Sequence, residues 1–344
     1  MKKNAAQRRE KFFASFGKEP LRCGFQKRRF LLALICTLGA IDAHAADDVT
    51  LGKAVPNSFA FGTVDVGIDA HIWESEGIAM HVTAFRGDAV LQQALTTGSI
   101  DFGLGSGPAM GFHVKGAPAT AVAVVAGAPY NMSLCVPAKG VVQTPAELKG
   151  RIIGFSTVGS LTDWLLRELS RQEGWGASGI HGVPLGTSQS SIAAIRAGQA
   201  NGVVTELATC LQLHQEGSFN VLVNFGDRVK QMYTHVLFAR NDLIDTKPDL
   251  VRRTLRGWFK TIAFMRGHKA ETIATIEKIT DLTPDVAGET YDREMGMMST
   301  DGAFDQPTLQ VIATSLQELN ILPEVPPTSQ LYDGRFVPVT LPKQ

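Results

Sequence analysis

Hydroxyls, amides and single carboxylates follow short apolar runs along this sequence, and these are the groups with chemistry to offer. Asn57, Ser58 and Phe59 follow the run 49–55, Gly87 and Asp88 follow Val82–Phe85, and Ser106 closes the run around Phe102. Thr157, Gly159 and Ser160 follow the run 151–155, Thr187 and Ser188 follow Val183–Leu185, and Glu206 follows Val203 and Val204. Two further segments carry Tyr130 with Asn131 and Tyr233 with Thr234. Groups of these types suit the capture of a small polar molecule. Backbone N–H groups beside Ser156, Thr157 and Ser160, at a helix start, suit a carboxylate, sulfonate or other oxyanion. Glu206 instead suits an amine or a ring N–H. Arg86 is the only obvious cation in these loops, set against the acidic Asp88 and Glu206. A small organic ligand of mixed polarity is therefore expected over a bare inorganic anion.

Each of these groups also has a plainer use. Asp88, Thr187 and Ser188 suit helix N-caps. Phe59 and Tyr130 suit core plugs as well as stacking faces, and Glu206 suits a solvated rim or an ion pair between lobes. Catalytic signatures are missing: the sequence has no G-x-S-x-G, no H-E-x-x-H and no Cys–His signature. Gly103-Leu104-Gly105-Ser106-Gly107 lacks the G-x-G-x-x-G register of a dinucleotide loop. His71, His81, His113 and His181 stand apart and no C-x-x-C is present. No catalytic residue, cofactor or metal site is expected. A cleft enzyme, with a Tyr or Glu as general base, is the lesser alternative.

The elements that must position these loops come from a repeat with an offset of one hundred residues. Ala94-Leu95-Thr96-Thr97-Gly98-Ser99-Ile100-Asp101 matches Ala194-Ile195-Arg196-Ala197-Gly198-Gln199-Ala200-Asn201 in pattern. Both glycines suit left-handed helix ends. The same offset aligns strand Val82–Phe85 with Val183–Leu185, and the helix starts Gly87-Asp88 with Thr187-Ser188. Strands 49–55 and 151–155 fit before them, and strands ending at Ser106 and Glu206 after them. Each half reads β-α-β-α-β, the start of a parallel sheet. The fold class is α/β, with two similar lobes, each a mostly parallel sheet flanked by helices. Ligands of such sheets sit beyond the carboxyl ends of the strands, so two facing lobes would bring the matching loops into one cleft. Thr144-Pro145-Ala146-Glu147 is a capping box, and a helix is expected from Thr162 to Glu173. Apolar residues at 251, 255, 258, 259 and 262 mark a long helix with Trp258 and Phe259 in the core.

The 344-residue chain balances 33 basic against 33 acidic residues. Residues 1–45 hold ten of the basic and three of the acidic ones, leaving the remainder at a net charge of −7. That acidity argues against a nucleic-acid partner. Lys27-Arg28-Arg29, the apolar run Phe30–Leu38 and Ala43-His44-Ala45 have the order of a secretory signal, cleaved before Ala46. The run is shorter than the about 20 residues a membrane span needs. Export leaves Cys135 and Cys210 as the only cysteines. An oxidising compartment would permit a disulfide between them; two buried free thiols are the expected arrangement.

Ala70-His71-Ile72-Trp73-Glu74-Ser75-Glu76-Gly77-Ile78, with the Gly98 motif and Thr144–Gly150, resembles the nitrate/sulfonate/taurine class of ABC transporter binding proteins. That class is in turn similar to binding proteins for the thiamine pyrimidine precursor. The resemblance spans roughly residues 49–265. It implies a type II periplasmic-binding-protein fold with two crossover strands, near 128–136 and 232–240, and closure about a hinge. Residues 46–128 would then begin lobe one, 129–234 form lobe two, 235–322 return to lobe one as helices, and 323–344 form an extended tail. It further implies a periplasmic monomer that delivers a sulfonate, carboxylate or pyrimidine-like molecule to an ABC permease and its ATPase. A ligand sensor docking on a membrane receptor is the alternative.

Overall fold

The computed structural model describes residues 46–342. The expected export segment, 1–45, lies outside the described residues. Strand β1 (Asp47–Lys53) turns Val49 and Leu51 inward, and both are fully buried. The chain passes through helices α1 (Thr63–Asp69) and α2 (Ile72–Ser75) to β2 (Ile78–Ala84), parallel to β1 with Leu51 opposite Val82. Helix α3 (Asp88–Thr97) leads to β3 (Phe102–Ser106), parallel on the other side of β1. Helix α4 (Met110–Val114) then precedes β4 (Ala119–Ala126), which is buried along its whole length.

The chain crosses to a second sheet as β5 (Met132–Pro137). There β6 (Ile152–Phe155), α5 (Leu161–Gln172), β7 (His181–Pro184), α6 (Ser188–Arg196) and β8 (Gly202–Glu206) repeat the order of the first lobe. Helix α7 (Leu207–Gln215), β9 (Phe219–Asn224) and α8 (Phe225–Arg228) follow, and the chain returns to the first sheet as β10 (His235–Arg240). The sheet orders are β2-β1-β3-β10-β4 and β7-β6-β8-β5-β9. Each sheet is completed by the strand that arrives from the other lobe. That strand is the antiparallel one in both cases: β10 between β3 and β4, and β5 between β8 and β9. The architecture is therefore two α/β lobes joined by two crossovers.

The repeat survives in its hydrogen bonds. Gly98 N donates to Leu95 O and Ser99 N to Ala94 O; Gly198 N donates to Ile195 O and Gln199 N to Ala194 O. Both glycines are left-handed, at φ 73° and 75°, a conformation that a Cβ would strain. The helix starts need a correction. Asp88 and Ser188 are each the first residue inside their helix, not its cap. Gly87, at φ 103°, takes the cap position of α3, and Thr187 caps α6 by accepting from Ser190 N. The cysteines need another. Cys135 on β5 and Cys210 on α7 are joined by a disulfide, because strand and helix bring their Cα atoms to 5.8 Å, within bonding range.

The remaining helices are α9 (Asn241–Thr246), α10 (Pro248–Gly267), α11 (Lys269–Thr280), α12 (Pro284–Glu294) and α13 (Gln306–Glu318). Helix α10 buries Val251, Leu255, Trp258, Phe259 and Ile262, the stripe its periodicity announced. The last helices do more than cover lobe one. Val286 of α12 packs with Leu207 and Leu211 of α7 in lobe two. Glu318 of α13 accepts from Trp164 Nε1 (2.8 Å) and Arg171 (3.0 Å) of α5. The tail buries Leu331 and Phe336, and Tyr332 bridges to Ala121 on the outer edge of β4. An apolar edge with free backbone groups has to be covered in this way.

Candidate functional site

Where the chain crosses between lobes, five polar side chains from distant segments meet. Ser58 follows β1, Asn131 precedes β5, Glu206 ends β8, His235 opens β10 and Glu294 ends α12. Each is at most 8% exposed. Backbone pairing fixes them in place. Met132 lies opposite Glu206, and Leu207 N donates to Asn131 O (2.6 Å). His235 lies opposite Ser106 on one side and Ala126 on the other. The end of α12 is tied to the same crossover by Gly127 N donating to Met297 O (2.9 Å) and by the Ala126–Met298 bridge.

Asn131 Nδ2 donates to Glu206 Oε2 (3.1 Å) and to His235 Nε2 (3.0 Å). With Nε2 accepting, the imidazole proton of His235 sits on Nδ1. The Phe61 ring covers the imidazole, with centroids 4.3 Å apart. Burial pushes the Glu206 pKa up to about 8, although Asn131 and Ser58 pull it down. Burial, and the Glu206 carboxylate nearby, push Glu294 well above the usual carboxylate range. Burial also pushes His235 down to about 3. Near neutral pH the cluster by itself therefore holds neutral carboxyls and a neutral imidazole.

The cluster is not satisfied internally. Glu206 Oε1, both Glu294 oxygens, Asn131 Oδ1, Ser58 Oγ and His235 Nδ1 have no hydrogen-bond partner among the described residues. Each such buried atom costs about 1–3 kcal/mol, and native interiors leave few of them. So many at one junction leave hydrogen-bonding capacity there for water or a ligand. His235 Nδ1 and the hydroxyl of Ser58 can donate, Asn131 Oδ1 accepts, and each neutral carboxyl offers one O–H donor beside an accepting oxygen.

Of the residues singled out in the sequence, Ser58, Asn131 and Glu206 meet in this cluster. Thr234 lies beside it and donates to Gly127 O (2.6 Å). Phe59 packs edge-on against Tyr291, one turn before Glu294 on α12. Asp88 accepts from Ser106 N (2.9 Å) and Oγ (2.7 Å), and burial raises its pKa against those bonds. Ser188 bonds Thr205 (2.7 Å) in the matching place of lobe two. Ser160 caps α5 through Asp163 N (3.3 Å) and shares its hydroxyl with Ser156 and Thr162. Tyr130 OH accepts from Lys230 (2.9 Å), and Tyr233 OH bonds Asp305 (2.8 Å) at the start of α13. Asn57, Thr157 and Thr187 are exposed, and Gly87 and Gly159 are half-buried at turns. His235 and Glu294 were missed. His235 directly follows Thr234 and was within reach of a sequence argument; Glu294, on an amphipathic helix, gave no signal.

Comparison with known proteins agrees with this architecture. A binding protein of Brucella abortus (strain 2308) is 25% identical over 233 residues, covering 67% of this chain and 71% of that one. The periplasmic aliphatic sulphonate binding protein SsuA of Escherichia coli superimposes with a TM-score of 0.71 at 18% identity, over 86% of this chain and 94% of that one. The desulfurization enzyme DszB shares the fold at a TM-score of 0.59 and 15% identity, over 84% and 97%. The two lobes thus share the fold of these periplasmic binding proteins. The family model described as NMT1/THI5 like matches residues 66–272, and the chain belongs to that family.

Proposed function

We propose that this protein is the exported solute-binding component of an ABC importer. It captures a small organic molecule at the lobe junction and presents it to a membrane permease driven by an ATPase. The observation that carries the proposal is the cluster of Ser58, Asn131, Glu206, His235 and Glu294, drawn from both lobes and buried with most of its polar atoms unpartnered. Lobe one, from residues 46–128 and 235–322, and lobe two, 129–234, would close on the ligand about the crossovers. The Cys135–Cys210 disulfide suits a periplasmic location. The sulphonate-binding name of one structural relative keeps sulfonates among the candidates, beside carboxylates and pyrimidine-like molecules.

Native mass spectrometry of the mature, monomeric protein is expected to find a co-purified small molecule, recovered unchanged. Adding that molecule back to unloaded protein should raise the melting temperature, since binding only the native state stabilises it by about 2.7 kcal/mol at a hundredfold excess over Kd. Protein that carries nothing, and no shift with sulfonates, carboxylates, amino acids or pyrimidines, would sink the proposal. Capture of the loaded protein by its own permease, and not by a receptor, separates transport from sensing.

A further inference from the structure

Glu206 and Glu294 reach the junction from opposite lobes: one from the end of β8, the other from the returning helix α12. Both are carboxyls with almost no exposure, at 8% and 0%. Neither faces a cation among the described residues. The cluster's remaining members are Asn131, Ser58 and His235, and the ring of Tyr291 lies on the same helix as Glu294. Asn131 bonds a single oxygen, Glu206 Oε2 (3.1 Å). The other oxygen of Glu206 and both of Glu294 have no partner.

An ionised carboxylate in such a place costs several kcal/mol unless it is paired. Two side by side cost more, because each repels the other's charge. A structural role would be filled at least as well by a Gln or an apolar residue. A partner with a positive charge, or with several N–H donors, reverses the balance. It supplies the missing hydrogen bonds and lets the carboxyls ionise, and charge-assisted bonds are the strong ones. An oxyanion does the opposite. Its charge would oppose ionisation of the carboxyls, so it would be met only by their protonated forms, Ser58 Oγ and His235 Nδ1, and the accepting carboxyl oxygens would stay unpartnered.

We propose that Glu206 and Glu294 form the recognition pole of the ligand site, and that the ligand presents to them a protonated amine, amidine or amino-heterocycle. This inference rests on the solute-binding role and narrows it. An acidic group elsewhere on the ligand is compatible with it; a ligand whose only polar group is an oxyanion is not. Phe61, whose ring covers the His235 imidazole, is the face offered to a flat ring.

The test uses matched probes on the unloaded mature protein: benzamidine against benzoate, 4-aminopyrimidine against pyrimidine, and ethylamine against ethanesulfonate. The cationic or amino member of a pair should raise the melting temperature and its partner should not. Calorimetry on the tightest probe should show Glu294→Gln and Glu206→Gln each weakening it by roughly tenfold or more. The ratio between matched probes should fall with it, a change that a packing role for either residue would not produce. Both variants should fold, since each replaces a buried carboxyl by a neutral group of the same shape, and circular dichroism checks this. Binding of benzoate or ethanesulfonate in preference to their partners overturns the inference and leaves solute binding intact. So does an unchanged probe ratio in both variants. If no probe binds and nothing co-purifies, both fall together.

Discussion

At the scale of single residues, the junction makes stability depend on pH in a way that can be worked out. The Glu206 carboxyl is raised from an ordinary 4.5 to about 8 and Glu294 is raised with it. The folded protein therefore holds protons that the unfolded chain releases. Their contribution is fully present below about 4.5 and is lost as pH rises through the folded values. His235 runs the other way. Its pKa drops from 6.5 to about 3, so the unfolded chain takes up a proton that the folded one refuses. That contribution is present above 6.5 and is lost as pH falls toward 3. The two slopes oppose each other between 4.5 and 6.5, and from 6.5 to 8 the carboxyls act alone. Denaturant unfolding of the unloaded protein should show stability falling over that upper window by about 1–2 kcal/mol for Glu206, with Glu294 adding in the same direction. Glu206→Gln should flatten the slope there and leave the His235 contribution below 4.5 in place. A slope that is the same in the variant would mean that Glu206 does not titrate in this range. Sequence alone named Glu206 because it closes an apolar run, and Asn131 because it lies at the first crossover. It could not show that they share a buried site with Glu294, because that meeting depends on how the last helices return.

Among the elements, the pairing of Cys135 with Cys210 ties strand β5 to helix α7 in the smaller core of lobe two, with Val203 and Phe219 packed around it. The bond closes a loop across a sequence separation of 75. Closing such a loop restricts the unfolded chain and is worth about 2–4 kcal/mol. Calorimetric melting of Cys135→Ala/Cys210→Ala should show lobe two unfolding earlier, with lobe one less affected. Identical melting with and without the bond would contradict this. Sequence could not decide that pairing, since it depends on β5 entering the second sheet beside β8, a placement made by the crossover. What was legible were local devices. The offset of one hundred residues, the glycine helix ends and the apolar stripe of α10 are all set by short-range sterics and periodicity. The helix starts were misplaced by one residue for a local reason too: Gly87 adopts a backbone conformation closed to Asp88, so the cap moved back to it.

For the molecule as a whole, what matters is that lobe two is held by more than its crossovers. Helix α13 packs Ile312 and Leu316 near Gly107 and Gly111 of lobe one. Its end reaches α5, where Glu318 accepts from Trp164 Nε1 (2.8 Å) and Arg171 (3.0 Å), and its carbonyl accepts from Arg167 (3.3 Å). These groups are partly exposed, so the ion pair itself adds little to folding stability. Their position matters more, because they tie α13 to α5 of lobe two. Glu318→Ala removes the acceptor shared by Trp164 and Arg171, while Arg171 keeps Glu168 (2.9 Å). The lobes should then spend less time in the arrangement that brings Glu206 to Glu294. Apparent affinity scales with the fraction of molecules in the competent arrangement. Small-angle scattering of the unloaded variant should show a larger radius of gyration. Calorimetry should show ligand binding weakened by roughly two- to tenfold, with the radius returning to the parent value at saturation. An unchanged scattering curve together with unchanged affinity would mean that α13 is a passive support and that the crossovers alone set the lobe angle.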